Sequence, residues 1–200
     1  MSTLLKINAS LFSNQGQSSQ LADRFVAAWQ AHHAGTIVVT RDLAAEPVPH
    51  LDGARFMSFL TKPEERSAEQ QAVVAYSDAL IAELREADIV VIGLPMYNFG
   101  IPSTLKAYFD HIARAGITFQ YTAEGSKGLL TGKKAYILAA RGGRYVGTPK
   151  DSQTTYVRDF LGFIGITDVE FVYAEGLNMG DESKSTALAE AHKAVAELTA

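Results

Sequence analysis

The stretch from Ala87 to Pro102, ADIVVIGLPMYNFGIP, limits the fold of this chain more than any other. Its first half contains Ile89-Val90-Val91-Ile92, an unbroken β-branched run without polar alternation, the pattern of a strand covered by helices on both faces. Its second half turns at once into Gly93-Leu94-Pro95-Met96-Tyr97-Asn98-Phe99-Gly100. A buried parallel strand ending in aromatics, Asn and Gly presents flat side chains and free N–H groups at its carboxyl end, where open α/β sheets bind ligands.

The rest of the chain supplies what such a strand needs on either side. The spacing predicts a first strand over Leu4–Asn8, a polar loop over residues 9–18, and a helix starting near Ser18, a good N-cap, with an apolar stripe of Leu21, Phe25, Ala28 and Trp29. A second strand is expected over Thr36–Thr40. After it, Pro47 and Pro49 lead into an irregular region reaching about Arg66, within which Phe56, Met57, Phe59 and Leu60 suggest a short apolar helix. Ser67 with Gln70 reads as a capping box for a long helix carrying Val73, Val74, Ser77, Leu80, Ile81 and Leu84. Beyond the organising strand, Pro102 opens a helix with Leu105, Tyr108, Phe109 and Ile112 on one face, and Gly116 is expected to end it. Residues 117–132 show no clear period and are long for a connection, which suggests a lid or pocket wall. Ala135–Ala139 is the fourth expected strand and ends in Ala140-Arg141-Gly142-Gly143. A helix capped by Asp151 or Ser152 and closed by Gly165, a fifth strand over Val169–Ala174 and a last helix from Ser183 complete the pattern. Five strands alternating with helices imply an α/β doubly wound parallel sheet, and five strands suggest the order 2-1-3-4-5. The chain is expected to form a single domain over residues 1–200, with no linker or internal repeat; its 47% hydrophobic composition suffices for such a core.

Charge and residue usage exclude several functions. Eighteen Lys and Arg against 22 Asp and Glu give a net charge of −4, so no sequence-wide attraction to nucleic acid is expected. Without Cys there is no disulfide, thiolate metal site or cysteine nucleophile. No run approaches the roughly 18 apolar residues of a membrane span. Met1 to Ile7 enters a strand pattern directly, with no secretory signal, so a cytoplasmic protein without membrane insertion is the expectation.

Three strand-end loops would converge in the 2-1-3-4-5 order. The loop Ser10 to Ser18 combines hydroxyls, Gln17 and Gly16 with a helix start, a combination suited to a phosphate, because the first N–H groups of a helix and its dipole favour an anion; an ordinary capped turn is the bland alternative. Pro95-Met96-Tyr97-Asn98-Phe99 and Ala140-Arg141-Gly142-Gly143 suit a large flat heterocycle, with aromatic and thioether contacts on its faces and N–H groups at its polar edge. A plain turn whose aromatics cover the core is the alternative there. Other phosphate signatures fit less well. No G-x-G-x-x-G opens the first helix. Gly128-Leu129-Leu130-Thr131-Gly132-Lys133-Lys134 has the wrong glycine spacing for a P-loop and is followed by a strand. The loop Asn8-Ala9-Ser10 lacks the carboxylates of a phospho-acceptor. G-x-S-x-G and H-E-x-x-H do not occur, and His32, His33, His50, His111 and His192 form no convincing metal set.

Met96-Tyr97-Asn98-Phe99 after a buried strand, Ser10 with Gly16-Gln17-Ser18, and Arg141-Gly142-Gly143 closely resemble bacterial FMN-dependent NADH-azoreductases, relatives of the flavodoxin-like NAD(P)H quinone oxidoreductases. Arg41-Asp42-Leu43-Ala44, Ala113-Arg114-Ala115-Gly116-Ile117-Thr118-Phe119 and Phe160-Leu161-Gly162-Phe163-Ile164-Gly165-Ile166 extend the resemblance over essentially the whole chain. It implies a flavodoxin-like fold, noncovalent FMN and a homodimer with flavin sites at the subunit boundary. It implies further that Ser10, Gly16, Gln17 and Ser18 hold the phosphate and ribityl chain, and that Pro95 to Phe99 and Ala140 to Gly143 surround the isoalloxazine. Family members often carry Ser at Ala140, and residues 54–66 depart from the family pattern. Asn98, Phe99, Tyr121 and Phe163 are candidate substrate-facing residues. Phe163 is assigned either to the opposite subunit's pocket or to plain helix packing.

The activity implied is ping-pong, two-electron reduction of quinones and azo compounds, with NADH or NADPH giving hydride to the flavin and the acceptor then taking the same slot. No acid/base residue is singled out. The rival reading is a flavodoxin-like one-electron carrier. The modest charge and the extra segments at 47–66 and 117–132 argue against it, since a carrier gains from an open, strongly charged flavin edge. A scaffold that keeps the fold without a cofactor is a third reading.

Overall fold

Strand β3 (Ile89–Pro95) lies at the centre of a computed structural model that describes residues 2–200, and all seven of its residues are buried. It pairs in parallel with β1 (Thr3–Asn8) on one side and β6 (Lys134–Ala140) on the other. The edges are β2 (Ile37–Asp42) and β7 (Asp168–Ala174), giving the order β2-β1-β3-β6-β7. This is the expected 2-1-3-4-5 topology, renumbered because a separate hairpin, β4 (Phe119–Thr122) with β5 (Gly125–Gly128), precedes β6. The rows that carry the sheet follow from strand alternation. Leu5, Ile7, Val90, Ile92 and Ile137 face one core with α3 (Ala68–Glu86), α4 (Ser103–Ile112) and α5 (Ser152–Ile164). Leu4, Val91, Tyr136 and Leu138 face the other with α1 (Gln17–His32) and α6 (Asp181–Thr199).

Several local signals act as read. Ser67 and Gln70 form the reciprocal capping box that opens α3, Asp151 accepts from Thr154 N at the start of α5, and Gly165 closes α5 in the left-handed region at φ 109°. Asp52 caps α2 (Gly53–Leu60), the short apolar helix, but Phe56, Met57 and Leu60 on it stay at least half exposed. The structure differs from the sequence reading at several places. The second strand starts at Ile37 because the Thr36 hydroxyl turns back to His33 O at 2.8 Å and prolongs the turn after α1. Ser18 is not the N-cap of α1: Gly16 holds that position and offers no side chain. Helix α4 ends at Ile112, where the Thr118 hydroxyl takes the Ile112 carbonyl at 2.6 Å, four residues before Gly116. Residues 117–132 contain the β4–β5 hairpin instead of an irregular lid. Lys133, the cation of the near-P-loop, donates to Arg85 O at 2.8 Å and Ala87 O at 2.6 Å and caps α3. Among the described residues no helix is long and apolar enough to cross a membrane.

Candidate functional site

The loops after β1, β3 and β6 meet at the carboxyl edge of the sheet. Tyr97 ties the first two: its hydroxyl accepts from Leu11 N at 3.3 Å and lies 3.4 Å from Ser10 Oγ. Met96 N donates to Ala140 O at 3.1 Å and ties the second to the third.

The loop after β1 is shaped as an anion seat. Gln20 N makes the first bond of α1, to Gly16 O, so helix geometry leaves the N–H groups of Gln17, Ser18 and Ser19 without intrahelical acceptors. No side chain caps them. Ser10, Ser18 and Ser19 are buried, and the Oγ atoms of Ser18 and Ser19 have no hydrogen-bond partner. The approach is close because glycine permits it: a Cβ on Gly16 would lie 2.1 Å from Ser10 Oγ, and one on Gly93 2.9 Å from Ser18 O. Ser13, at φ 52°, hydrogen-bonds Asp42, whose carboxylate also accepts from Ala44 N at 2.9 Å and Ala45 N at 3.2 Å. Burial opposes the charge on Asp42, but these bonds and nearby Lys6 outweigh it and hold the carboxyl below its ordinary range.

The loop after β3 is a tight turn. Tyr97 and Gly100 exchange both backbone bonds, at 3.1 and 3.0 Å, and the two residues between them, Asn98 and Phe99, have φ of 51° and 66°. Positive φ at both central positions is the mark of a type I′ turn. Asn tolerates this region; for Phe it costs about 1–3 kcal/mol and needs support from its surroundings. Both side chains are exposed, and the Phe99 ring stands edge-on to Tyr145 at 5.6 Å.

The loop after β6 is held from behind. Arg141 does not face the cleft: its side chain is fully buried and pairs with Asp151 at 2.9 Å and Glu175 at 3.0 Å. What position 141 presents to the edge is therefore its backbone, and its guanidinium is structural. Glu175 also accepts from Tyr145 N at 2.9 Å and Val146 N at 3.1 Å. Burial opposes the charge on Asp151, while bonds from Thr154 and Arg141 prevail and lower its pKa. The carbonyls of Gly142 and Gly143 accept from Asn178 N and Gly176 N. Between these two loops lies a cleft of about 460 Å³ lined by Met96, Asn98, Phe99, Gly142, Gly143, Tyr145 and Asn178.

Thus Ser10, Gly16, Gln17 and Ser18 come together with Pro95 to Phe99 and with Ala140 to Gly143 at one edge. Tyr121 and Phe163 do not join them within one chain. The β4–β5 hairpin is anchored at the amino edge, where Leu130 N bonds Ile164 O and Arg85 bonds Ile117 O. Phe163 packs there on Phe119 at 4.2 Å, and Tyr121 is 76% exposed. Sequence reasoning missed Tyr145, Asn178, Gln153 and Glu175. Tyr145 follows the glycine pair closely enough to have been suspected; the other three carry no local signature.

An anion seat beside a ring-sized slot, placed where β1 and β3 part at the switch point of a 2-1-3 sheet, defines the flavodoxin-like class. The chain belongs to this family: the model for the flavodoxin-like fold matches residues 2–198. Within it, the chain is 57% identical over 200 residues to an FMN-dependent NADH:quinone oxidoreductase of Cellvibrio japonicus, covering all of both chains. It is 57% identical over 196 residues to another from Burkholderia thailandensis, covering 98% of this chain and 99% of that one. An azoreductase from Bacillus anthracis superposes with a TM-score of 0.91 at 31% identity, over 100% of this chain and 99% of that chain. An FMN-dependent NADH-azoreductase from the same species, solved in complex with FMN, gives 0.88 at 28% identity over the whole of both chains.

The residues fit FMN on grounds internal to the structure. Ser18 Oγ is a buried donor with no partner, in the uncapped first turn of α1. A phosphate supplies the missing acceptor. The neighbouring cleft has neutral polar and aromatic walls suited to a ring system.

Proposed function

We propose that this protein is an FMN-dependent oxidoreductase that uses NADH to reduce quinones and azo compounds, with the whole chain acting as one FMN-binding domain. The observation that carries this reading is the partnerless, buried Ser18 hydroxyl at an uncapped helix start, one loop away from a ring-sized cleft. FMN supplies two-electron chemistry between a nicotinamide and an acceptor. The chain's own residues bind and orient. Gln17, Ser18 and Ser10 hold the phosphate end; Asn98 and the Gly142–Gly143 backbone meet the polar edge of the ring; Met96, Phe99 and Tyr145 wall the slot and limit water. Nicotinamide and acceptor use the same open face in turn, a ping-pong order, and NADPH serves as a second reductant.

The protein acts as a cytoplasmic homodimer in this reading. Support comes from the exposed apolar residues Phe56, Met57 and Leu60 on α2 and from Tyr121, which has too little covering within its own chain. Tyr121 and Phe163 of one copy would then complete the acceptor pocket of the other, reconciling their place at the amino edge with a substrate role. The test is stopped-flow mixing of FMN-loaded protein with NADH, then with a quinone or azo dye. Bleaching of the flavin and its return on adding acceptor are expected. Flavin that stays oxidised in excess NADH and NADPH refutes the proposal.

A further inference from the structure

We infer that the first turn of α5, Asp151 to Thr154, is a positioning hub that sets the width of the ring slot by fastening the loop after β3 to the loop after β6, with Gln153 as its central residue. The inference rests on the flavin reading above and goes beyond it, since none of these side chains lines the cleft. Gln153 is fully buried. Its Nε2 donates to Pro95 O at 2.8 Å and to Gly100 O at 3.0 Å, the two ends of the β3 loop. Its Oε1 accepts from Arg141 Nε at 3.2 Å, in the β6 loop. Its neighbour Ser152 donates to Phe99 O, in the middle of the strained turn. Asp151 and Thr154 take Arg141 Nη2 at 2.9 and 3.2 Å. Four consecutive residues therefore hold one ring loop at both ends and its centre, and grip the buried Arg141 side chain of the other loop.

The chemistry at position 153 is narrow. Position 153 offers donors to two carbonyl oxygens, one of which also accepts from Tyr97 N, and an acceptor to one guanidinium, and a carboxamide meets all three in one orientation only. A carboxylate of the same shape would face two carbonyls with no proton. It would also be the third carboxylate on Arg141, after Asp151 and Glu175, with the Tyr173 ring beside the same guanidinium. Gln153→Glu is thus driven toward its protonated form, which restores one donor. An unfastened loop must be ordered by the ligand at the expense of affinity.

The experiment compares wild type, Gln153→Glu and Ser152→Ala in three measurements: FMN dissociation by flavin-fluorescence quenching between pH 5.5 and pH 8.5 (roughly the span over which a raised carboxyl titrates), the flavin reduction potential, and melting of the FMN-free protein. Gln153→Glu should bind FMN about tenfold more weakly at the alkaline end, recover toward the acid end, and shift the potential, while wild type stays flat. Ser152→Ala, at an exposed position, should weaken FMN severalfold with an unchanged melting temperature, and it decides the matter alone if the Glu variant does not fold. Wild-type affinity and potential in Ser152→Ala and in any folded Gln153→Glu overturn the hub. A loss in Gln153→Glu that follows its melting temperature and ignores pH overturns it as well. Wild-type protein that ignores FMN overturns instead the reading on which the hub rests.

Discussion

Ser18→Ala should change stability and ligand affinity in opposite directions. Ser18 is 1% exposed and its hydroxyl has no partner. Burying a hydroxyl without a hydrogen bond costs about 1–3 kcal/mol by mutational measures, and alanine at a helical position adds a few tenths. The FMN-free variant should therefore be more stable than wild type by about 1–3 kcal/mol, which for a chain of this size raises melting by about 2–4 °C per kcal/mol. With FMN the balance reverses. The lost bond to a charged phosphate is worth about 1.5–3 kcal/mol, so the dissociation constant should rise about 10- to 150-fold. Thermal melts of the stripped protein and fluorescence titration with FMN measure the two sides separately. A lower melting temperature combined with unchanged affinity would mean that Ser18 is a packing residue with a partner of its own, and the anion seat would lose its central argument.

Gly93→Ala should lower the urea midpoint by an amount equivalent to about 1–3 kcal/mol and weaken FMN, because its Cβ would sit 2.9 Å from Ser18 O and 3.1 Å from Ser18 C, backbone atoms that cannot step aside without lifting the start of α1; a wild-type midpoint would show that this start moves freely. Acid should unfold the protein in two stages. His111 is fully buried and its ring is pushed below 6.5 chiefly by burial, so its unfolded form binds the extra proton and stability falls as pH drops from about 6.5. Asp42 and Asp151 have folded values below 3.8, so their contribution is complete above that value and is lost as pH falls through the lower ones. In pH-dependent melts His111→Leu should flatten the first stage only; two unaltered stages would contradict the assignment. Tyr121→Ala should leave FMN affinity and melting unchanged but raise KM for the acceptor, and unchanged kinetics would remove it from the pocket.

What the sequence reveals here is whatever is encoded locally. The β3 run reads as a buried parallel strand because it is β-branched throughout, and the Ser67–Gln70 box and the Gly165 stop read from single turns. The loops of the site are legible for the same reason: Gly16 beside Ser18 and the Asn98–Phe99 turn announce their chemistry within a few residues. The β4–β5 hairpin was hidden because Gln120 to Lys127 is exposed on both faces, so no alternation marks it. The early end of α4 was hidden because Thr118 terminates it from six residues away, through a side chain. The burial of the Arg141 side chain was hidden because nothing beside it in the chain states that Asp151 and Glu175 converge on it across 10 and 34 residues.

That burial points to how the protein divides its charges. The loop from Ala9 to Ser19 contains no Lys or Arg, so a phosphate there would be held by N–H dipoles and hydroxyls. The cleft lining is likewise uncharged. The cations are committed elsewhere: Arg141 to Asp151 and Glu175, Arg41 to Glu83 and Glu46, Arg114 to Asp78 and the Phe59 ring, Lys6 to Asp23. A buried guanidinium with two carboxylates has little freedom, since breaking either pair strands a charge away from water. It therefore suits a residue that must keep a loop still while ligands enter and leave. A neutral, hydrogen-bonding slot suits the opposite need, because a nicotinamide and a quinone differ in charge and a fixed ion facing both would favour one over the other. Placing ions behind the loops and dipoles in front of them meets both needs, and it explains why the strained Phe99 turn can persist at an open edge.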